Sequence, residues 1–400
     1  MSPVQVRPAA FLGFDLMYLT KEEEKILEGE KGEGPAKAME LLLAIGKIYG
    51  ADKLIPIKSA QIAGVSYKTM GDAGLQFVQD FAEIANVKVK AMLNPAGMDL
   101  TEKNYETDDF RGKQSRLVNA YRQMGIEVTC TCTPYLVGNR PGLDDHLAWS
   151  ESSAVSFANS VLGARTNREG GPSALMAAVI GKTPNYGLHL KENRKPDVVY
   201  EVKDEVPYSL LGYLVGRETR DDIPYFKGFK PSEDDLKTLG AAMAATGSVA
   251  IYHVEGVTPE AEDFSTKNLE KIEIEEEDVD GIRKELRTEV RPDVIVIGCP
   301  HLSKSEIKEL SERLKGKEKK NGPDLYVYTS RRVKEELGEA VAEIERFGKV
   351  ISDTCMVVSP LEERYDVAAT NSGKAAAYLP KLAEQKVIYA DLETLLEMIV

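Results

Sequence analysis

Two periodicities of hydrophobic residues alternate along the chain. Short apolar runs, such as residues 294–297, predict buried strands, whereas apolar residues spaced three or four apart, as in residues 36–49, predict amphipathic helices. In the last third of the chain this pattern predicts strands at 294–297, 325–328 and 350–352 and helices at 304–314 and 334–347. Strands that alternate with helices are typical of parallel βαβ units, so the pattern predicts an α/β protein.

The same pattern predicts three α/β domains, which span residues 17–185, 186–290 and 291–400. In the first we expect strands at 54–57, 87–93 and 126–132 and helices at 36–49, 71–85, 114–124, 151–162 and 172–180. In the second we expect strands at 198–202, 249–254 and 271–274 and helices at 208–217 and 233–246. Residues 1–16 are predicted to be an N-terminal extension, because their apolar piece lacks the features of a signal peptide.

Composition narrows the class of protein. The formal net charge of −14 argues against a nucleic-acid or anionic-membrane partner. No apolar run approaches the ~20 residues needed to span a bilayer. Four cysteines among 400 residues do not make a disulfide scaffold, so we expect a reducing cytoplasm and free thiols.

Three of the cysteines stand at comparable places in the predicted pattern. Cys132, Cys299 and Cys355 each follow or close a predicted strand, and α/β folds usually place their chemistry at strand ends. Each of them alone is as compatible with an inert core thiol. Their wide spacing fits neither a zinc ribbon nor a compact ferredoxin motif, and it suits an iron–sulfur cluster held between domains. Cys130, two residues before Cys132 on the same predicted strand face, is an alternative ligand.

A cluster with three protein thiolates has one iron without a protein ligand. That iron can act as a Lewis acid on the hydroxyl and carboxylate of a hydroxy acid, whose hydroxide is otherwise a poor leaving group. His301, two residues after Cys299, is a candidate to hydrogen-bond the cluster or the substrate, and a purely structural histidine is the alternative. The pattern therefore favours a dehydration.

Two segments are candidates for binding the anionic groups of a substrate. Residues 59–67 are low in charge and precede a predicted helix, so their backbone N–H groups can hold an anion; an ordinary strand-to-helix loop is the alternative. The glycine-rich residues 163–171 contain two arginines, of which Arg165 is our candidate for a carboxylate or phosphate. A surface loop is equally compatible with that segment.

Several short segments together resemble the aconitase X family of the aconitase superfamily. They are residues 64–67 (GVSY), 94–97 (NPAG), 132–135 (CTPY), 149–154 (WSESSA), 159–167 (NSVLGARTN), 298–300 (GCP), 353–355 (DTC) and 371–374 (NSGK). The resemblance covers the chain from about Met17 to its end. It implies three aconitase-like α/β domains around a central iron–sulfur cluster, with the swivelling domain on a separate small subunit.

The resemblance also implies an activity and a set of site residues. Archaeal members are split into two subunits and dehydrate (R)-5-phosphomevalonate to trans-anhydromevalonate 5-phosphate, so we expect the large subunit of such a heterodimer, in a mevalonate pathway leading to isoprenoids. The implied metal ligands are Cys132, Cys299 and Cys355, holding a 4Fe-4S cluster or, after isolation, its 3Fe-4S form. The implied substrate-binding residues are Gly64, Val65, Ser66, Asn94 and Pro95, besides our candidate Arg165.

Three points stay open at this stage. The family's catalytic base is typically a serine on the swivelling domain, so we expect the base on the small subunit. Other members of the family are single chains that resemble cis-3-hydroxy-L-proline dehydratase, so that activity is the alternative. A non-enzymatic iron–sulfur protein, regulatory or electron-carrying, is the alternative of another class, and it predicts four protein ligands and no open iron.

Overall fold

The computed structural model describes residues 17–219, 222–287 and 290–400, so the predicted N-terminal extension lies outside the described residues. Within these ranges the chain forms three parallel sheets, each packed against helices, and one small antiparallel pair. No helix in this part of the chain combines the length and the hydrophobicity that crossing a membrane requires.

The first sheet is parallel and has the strand order β3-β2-β4. Its region contains α1 (Lys21–Leu27), α2 (Glu33–Ile48), β1 (Leu54–Pro56), β2 (Ser59–Ile62), α3 (Tyr67–Ala82), β3 (Lys90–Leu93), α4 (Asp108–Gln123), β4 (Leu147–Trp149), α5 (Ser152–Ser160), α6 (Gly171–Ile180) and β5 (Lys182–Pro184). The antiparallel pair is β1 with β5. The expectation of a loop from residue 59 was wrong, because β2 is the central strand and all four of its residues are buried. Its low charge reflects burial on both faces.

The second sheet is also parallel, in the order β8-β7-β6-β9. Its elements are β6 (Val198–Val202), α7 (Tyr208–Thr219), β7 (Pro224–Lys227), α8 (Glu233–Thr246), β8 (His253–Val254), β9 (Glu270–Ile274) and α9 (Glu276–Glu285). The two predicted helices are confirmed. The predicted strand at 249–254 is confirmed only for its last two residues, and β7 was not predicted because it begins with proline and carries no clear alternation.

The third sheet confirms the predicted parallel βαβ arrangement, in the order β12-β11-β10-β13-β14. Its elements are β10 (Val294–Leu302), α10 (Lys304–Leu314), β11 (Asp324–Thr329), α11 (Arg331–Glu336), α12 (Gly338–Glu345), β12 (Lys349–Ile351), β13 (Val367–Thr370), α13 (Gly373–Leu382), β14 (Lys386–Tyr389) and α14 (Leu392–Glu397). The single helix predicted at 334–347 was wrong at its start. Leu337 has non-helical backbone angles and separates α11 from α12.

The predicted cysteine strand at 126–132 was wrong. Only Glu127 forms a ladder contact, as an isolated bridge to Met92 of β3. The chain then follows the edge of β3 irregularly, because Cys130 adopts a φ of 42°, which interrupts an extended ladder. As a result Cys130 and Cys132 do not share a strand face: Cys130 is part of the first domain's hydrophobic core.

A buried arginine of the second domain ties that domain to the first. The Arg194 side chain is fully buried, and its Nε donates to Glu260 Oε2 at 2.9 Å. Its remaining N–H groups donate to the backbone carbonyls of Asn159, Leu188 and Ala164 at 3.0 to 3.1 Å. Burial lowers the pKa of Arg194, while the hydrogen bond and charge of Glu260 oppose that shift.

Replacing Arg194 with methionine should lower the free energy of unfolding by about 3–5 kcal/mol, because the buried Glu260 carboxylate loses its cation. Urea unfolding followed by circular dichroism measures this change. The matched control is Arg313→Met, since Arg313 forms an exposed pair with Glu309 on α10, for which we expect at most about 1 kcal/mol. Equal effects of the two substitutions would contradict the structural role of Arg194.

Candidate active site

The carboxyl ends of the first sheet's strands meet at one edge. Residues 63–66 follow β2, Asn94 and Pro95 follow β3, and Glu151 follows β4 by two residues. Cys132 reaches the same edge from the irregular segment beside β3. Parallel strands present their carboxyl ends together, which is where α/β folds form their crevices.

The third domain meets this edge with the carboxyl ends of its own strands. Cys299 lies within β10, Cys355 follows β12, and Lys374 lies in the first turn of α13 after β13. One cavity between the two domains contains all three cysteines. It is lined by Asn94, Pro95, Cys132, Glu151, Gly298, Cys299, Cys355, Val357, Val358, Lys374 and Tyr378.

The three cavity cysteines are free thiols and suit an iron–sulfur cluster. Burial raises the pKa of Cys132 and Cys355 and raises the pKa of Cys299 to about 12, so burial by itself favours neutral thiols. Among the described residues no three metal-ligating side chains are grouped closely enough for a single metal ion. In an iron–sulfur cluster each thiolate binds a different iron, so the ligands need not converge on one point. Three cysteines that line one cavity are therefore compatible with a cluster.

His301 is buried and does not line the cavity. Its Nδ1 is 2.9 Å from Thr131 Oγ1, and its Nε2 is 2.8 Å from the carbonyl of Thr354. The backbone N–H of His301 donates to Cys132 Sγ at 3.2 Å. Burial lowers the pKa of His301 to about 4, so the ring is neutral. The side chain therefore joins the segments that precede Cys132 and Cys355, which is the structural alternative considered above.

Glu151 and Lys374 form a buried ion pair in the cavity, and neither was predicted as a site residue from the sequence. Lys374 Nζ donates to Glu151 and, at 3.0 Å, to Ser153 Oγ. Burial alone would raise the pKa of Glu151, but the charge and hydrogen bond of Lys374 lower it to about 2. The two residues lie in the matching segments 149–154 and 371–374. Among 65 acidic and 51 basic residues, however, nothing in their local sequence distinguished them.

Asn94 completes this group of polar side chains. Its Nδ2 donates to Glu151 Oε2 at 2.7 Å. Its Oδ1 is buried and has no hydrogen-bond partner in the described part of the chain. A buried amide oxygen without a partner is costly unless a ligand supplies the donor. The cavity therefore offers a substrate one cation, one carboxylate and one free acceptor.

The predicted loop Gly64, Val65 and Ser66 lies directly behind the cavity wall. Ser66 Oγ donates to the carbonyl of Val358, a cavity residue, at 2.7 Å. The carbonyl of Val65 accepts from Gln114 Nε2 at 2.7 Å. The structure thus brings the loop into contact with a residue of the cavity wall, but its three residues do not themselves line the cavity.

Arg165 is not brought to the cavity. Its Nε donates to Asp144 Oδ1 at 2.9 Å, and a terminal nitrogen donates to the carbonyl of His189 at 3.1 Å. Arg165 is absent from the cavity lining, and its role toward a substrate stays a prediction. Cys130 is likewise absent from the lining.

Comparison with known proteins identifies the family of this chain. Family models described as the first, second and third domains of aconitase X match residues 16–192, 196–284 and 292–400. The chain belongs to the aconitase X family.

Relatives of this aconitase X chain carry two names. It is 55% identical to the phosphomevalonate dehydratase large subunit of Thermococcus kodakarensis, over 90% of this chain and 95% of that one. It is 51% identical to the protein of the same name from Methanocaldococcus jannaschii, over 95% of this chain and all of that one. It is 34% identical to the cis-3-hydroxy-L-proline dehydratase of Pseudomonas aeruginosa, over 98% of this chain and 71% of that one.

A solved structure has the same fold. The crystal structure of Thermococcus kodakaraensis aconitase X in its holo-form superimposes with a TM-score of 0.90 at 53% sequence identity. The match covers 96% of this chain and 100% of that chain. The three-domain α/β architecture predicted from the sequence is therefore confirmed.

Proposed function

We propose that this chain is the large subunit of a hydro-lyase that dehydrates (R)-5-phosphomevalonate to trans-anhydromevalonate 5-phosphate, in the cytoplasm of an archaeon and within its mevalonate pathway. The observation that carries the proposal is the shared cavity in which Cys132, Cys299 and Cys355 meet the buried Glu151–Lys374 pair. The names of the archaeal relatives, at 55% and 51% identity, support the same substrate.

Cys132, Cys299 and Cys355 are the residues that would hold the cluster, as a 4Fe-4S or 3Fe-4S form. When bound, such a cluster supplies a Lewis acid that assists departure of the substrate's tertiary hydroxyl. Cys130 lies in the first domain's core, so no fourth cysteine among the described residues lines the cavity. This arrangement favours a catalytic cluster over an electron-carrying one with four protein ligands.

Lys374 and Glu151 prepare the cavity for an anionic substrate. The charge of Glu151 raises the pKa of Lys374 despite its burial, so the lysine stays protonated and the cavity keeps a fixed cation. Dehydration removes a proton from the carbon next to the substrate carboxylate. A cation beside that carboxylate therefore stabilises the transition state more than the ground state. Asn94 Oδ1 is available to accept a hydrogen bond from a substrate hydroxyl.

The alternative activity, cis-3-hydroxy-L-proline dehydration, has weaker support. The chain is 34% and 32% identical to two dehydratases of that name and spans 71% and 67% of their lengths. A turnover assay with both substrates separates the two activities. We expect dehydration of phosphomevalonate and none of the hydroxyproline.

The isolated chain should not dehydrate phosphomevalonate until the small subunit is added. The cavity contains a candidate cation and thiol ligands, but the base is expected on the swivelling small subunit. After anaerobic cluster reconstitution, product formation is measured for each chain alone and for an equimolar mixture. The Cys132→Ser chain mixed with the small subunit is the matched control for adventitious activity. Full activity of the isolated chain would show that it contains its own base.

A further inference from the structure

The segment that contains both arginines of the glycine-rich loop runs alongside β4. Arg165 forms a parallel bridge with His146, and Arg168 forms one with Trp149. In an extended segment, residues three apart project to opposite faces. The two guanidinium groups therefore lie on opposite sides, and only one of them can face the cavity.

Arg168 contacts the cavity wall from outside, although it is not itself part of the lining. One of its terminal nitrogens is 3.3 Å from the hydroxyl of Tyr378, which lines the cavity. The other makes only a long contact, 3.5 Å, to the carbonyl of Ala244. Arg168 forms no ion pair with a carboxylate in the described ranges, whereas Arg165 is paired with Asp144. Arg168 is therefore a solvent-accessible cation whose fork of donors remains available.

Tyr378 connects this arginine to the inner part of the cavity. Lys374 Nζ lies 5.8 Å from the centre of the Tyr378 ring, and the Tyr378 hydroxyl is 3.3 Å from Ser152 Oγ. Tyr378 thus contacts two cations: Lys374, which is buried and lines the cavity, and Arg168, which is exposed and lies just outside the lining. The charge of Arg168 also contributes to the lowered pKa of Glu151, after burial and the contributions of Lys374 and Asn94, so the groups are close enough to interact.

We propose that Arg168 binds the phosphate of the substrate at the cavity entrance while Lys374 holds its carboxylate at the inner end. The inference rests on the proposed function, which requires a substrate with these two anionic groups held apart. A guanidinium donates two parallel hydrogen bonds to a phosphate, and a phosphate is the more strongly hydrated and more highly charged group, which suits the exposed end.

The test uses the reconstituted two-subunit enzyme with two related molecules. One is (R)-5-phosphomevalonate, for which KM and kcat are measured. The other is (R)-mevalonate, which has the same carboxylate and hydroxyl without the phosphate and whose inhibition constant is measured. For Arg168→Ala we expect a KM about 30-fold higher, as for a lost charged hydrogen-bond pair, with kcat within about threefold. The inhibition constant of mevalonate should change less than about twofold. Arg168→Lys should restore part of the affinity, since it keeps the charge but not the fork.

Two further variants make the result decisive. Arg313→Ala, an exposed arginine on α10, is the matched control and should leave both constants unchanged. If Arg165→Ala instead produced the phosphate-selective loss, the assignment to Arg168 would be overturned. Equal weakening of both molecules in Arg168→Ala would also overturn it, because that result indicates a structural role. Absence of phosphomevalonate turnover in the wild-type enzyme would refute the proposed function itself.

Discussion

Replacing Cys132, Cys299 or Cys355 with serine is expected to abolish both the visible absorbance of the reconstituted cluster and the dehydration. Each of these thiols lines the shared cavity, and the described chain offers no spare cysteine there. A serine oxygen is a harder and far less acidic ligand than a thiol, so it cannot replace a thiolate on iron at neutral pH. We expect at least a ~1,000-fold loss of kcat.

The matched control is Cys130→Ser, a buried cysteine two residues away that packs in the first domain's core. This variant should retain the full iron content of the wild type, measured chemically, with at most a moderate loss of stability. Iron content, absorbance and activity are measured for all four variants. A complete cluster in any cavity variant would remove that cysteine from the ligand set, and loss of the cluster in Cys130→Ser would add it.

Replacing Lys374 with methionine is expected to lower kcat/KM at least ~100-fold while the cluster remains bound. The substitution removes the cation beside the substrate carboxylate, and it leaves the buried Glu151 carboxylate without its partner. A charge buried without compensation costs about 3–5 kcal/mol, and it also repels an anionic substrate. Glu151→Gln should be less severe, because it removes the negative charge and leaves Lys374 free to bind the substrate.

A second buried pair provides the control for stability. Lys237 of α8 is as buried as Lys374 and pairs with Glu306 of α10, outside the cavity lining. Lys237→Met should lower the unfolding midpoint by a similar amount but leave kcat/KM within about threefold of the wild type. If Lys374→Met kept near-normal kcat/KM with an intact cluster, the substrate carboxylate would be held elsewhere, and the small subunit would be the first place to search.

The sequence alone determined the family, the dehydratase class and much of the third domain. Its strands and helices were predictable because parallel βαβ units bury continuous apolar runs between amphipathic helices, and both patterns are local. The cysteines stood out because the chain has only four, and a rare residue in a matching segment is informative. Their grouping in one cavity agrees with that interpretation, and their role as ligands stays a prediction.

Tertiary structure decided where side chains from distant segments meet. Lys374 and Glu151 are 223 residues apart, and they pair only because the third domain closes onto the first sheet's edge. The irregular path of Cys130 separates it from Cys132, although their spacing predicts a shared face. The choice between Arg165 and Arg168 likewise depends on tertiary structure, because the segment 165–168 runs alongside β4 and only one of its two sides faces the cavity. Periodicity and composition indicate whether a residue is buried. They do not indicate which charged residues pair with each other, because charged residues are common and their pairing depends on packing between distant segments.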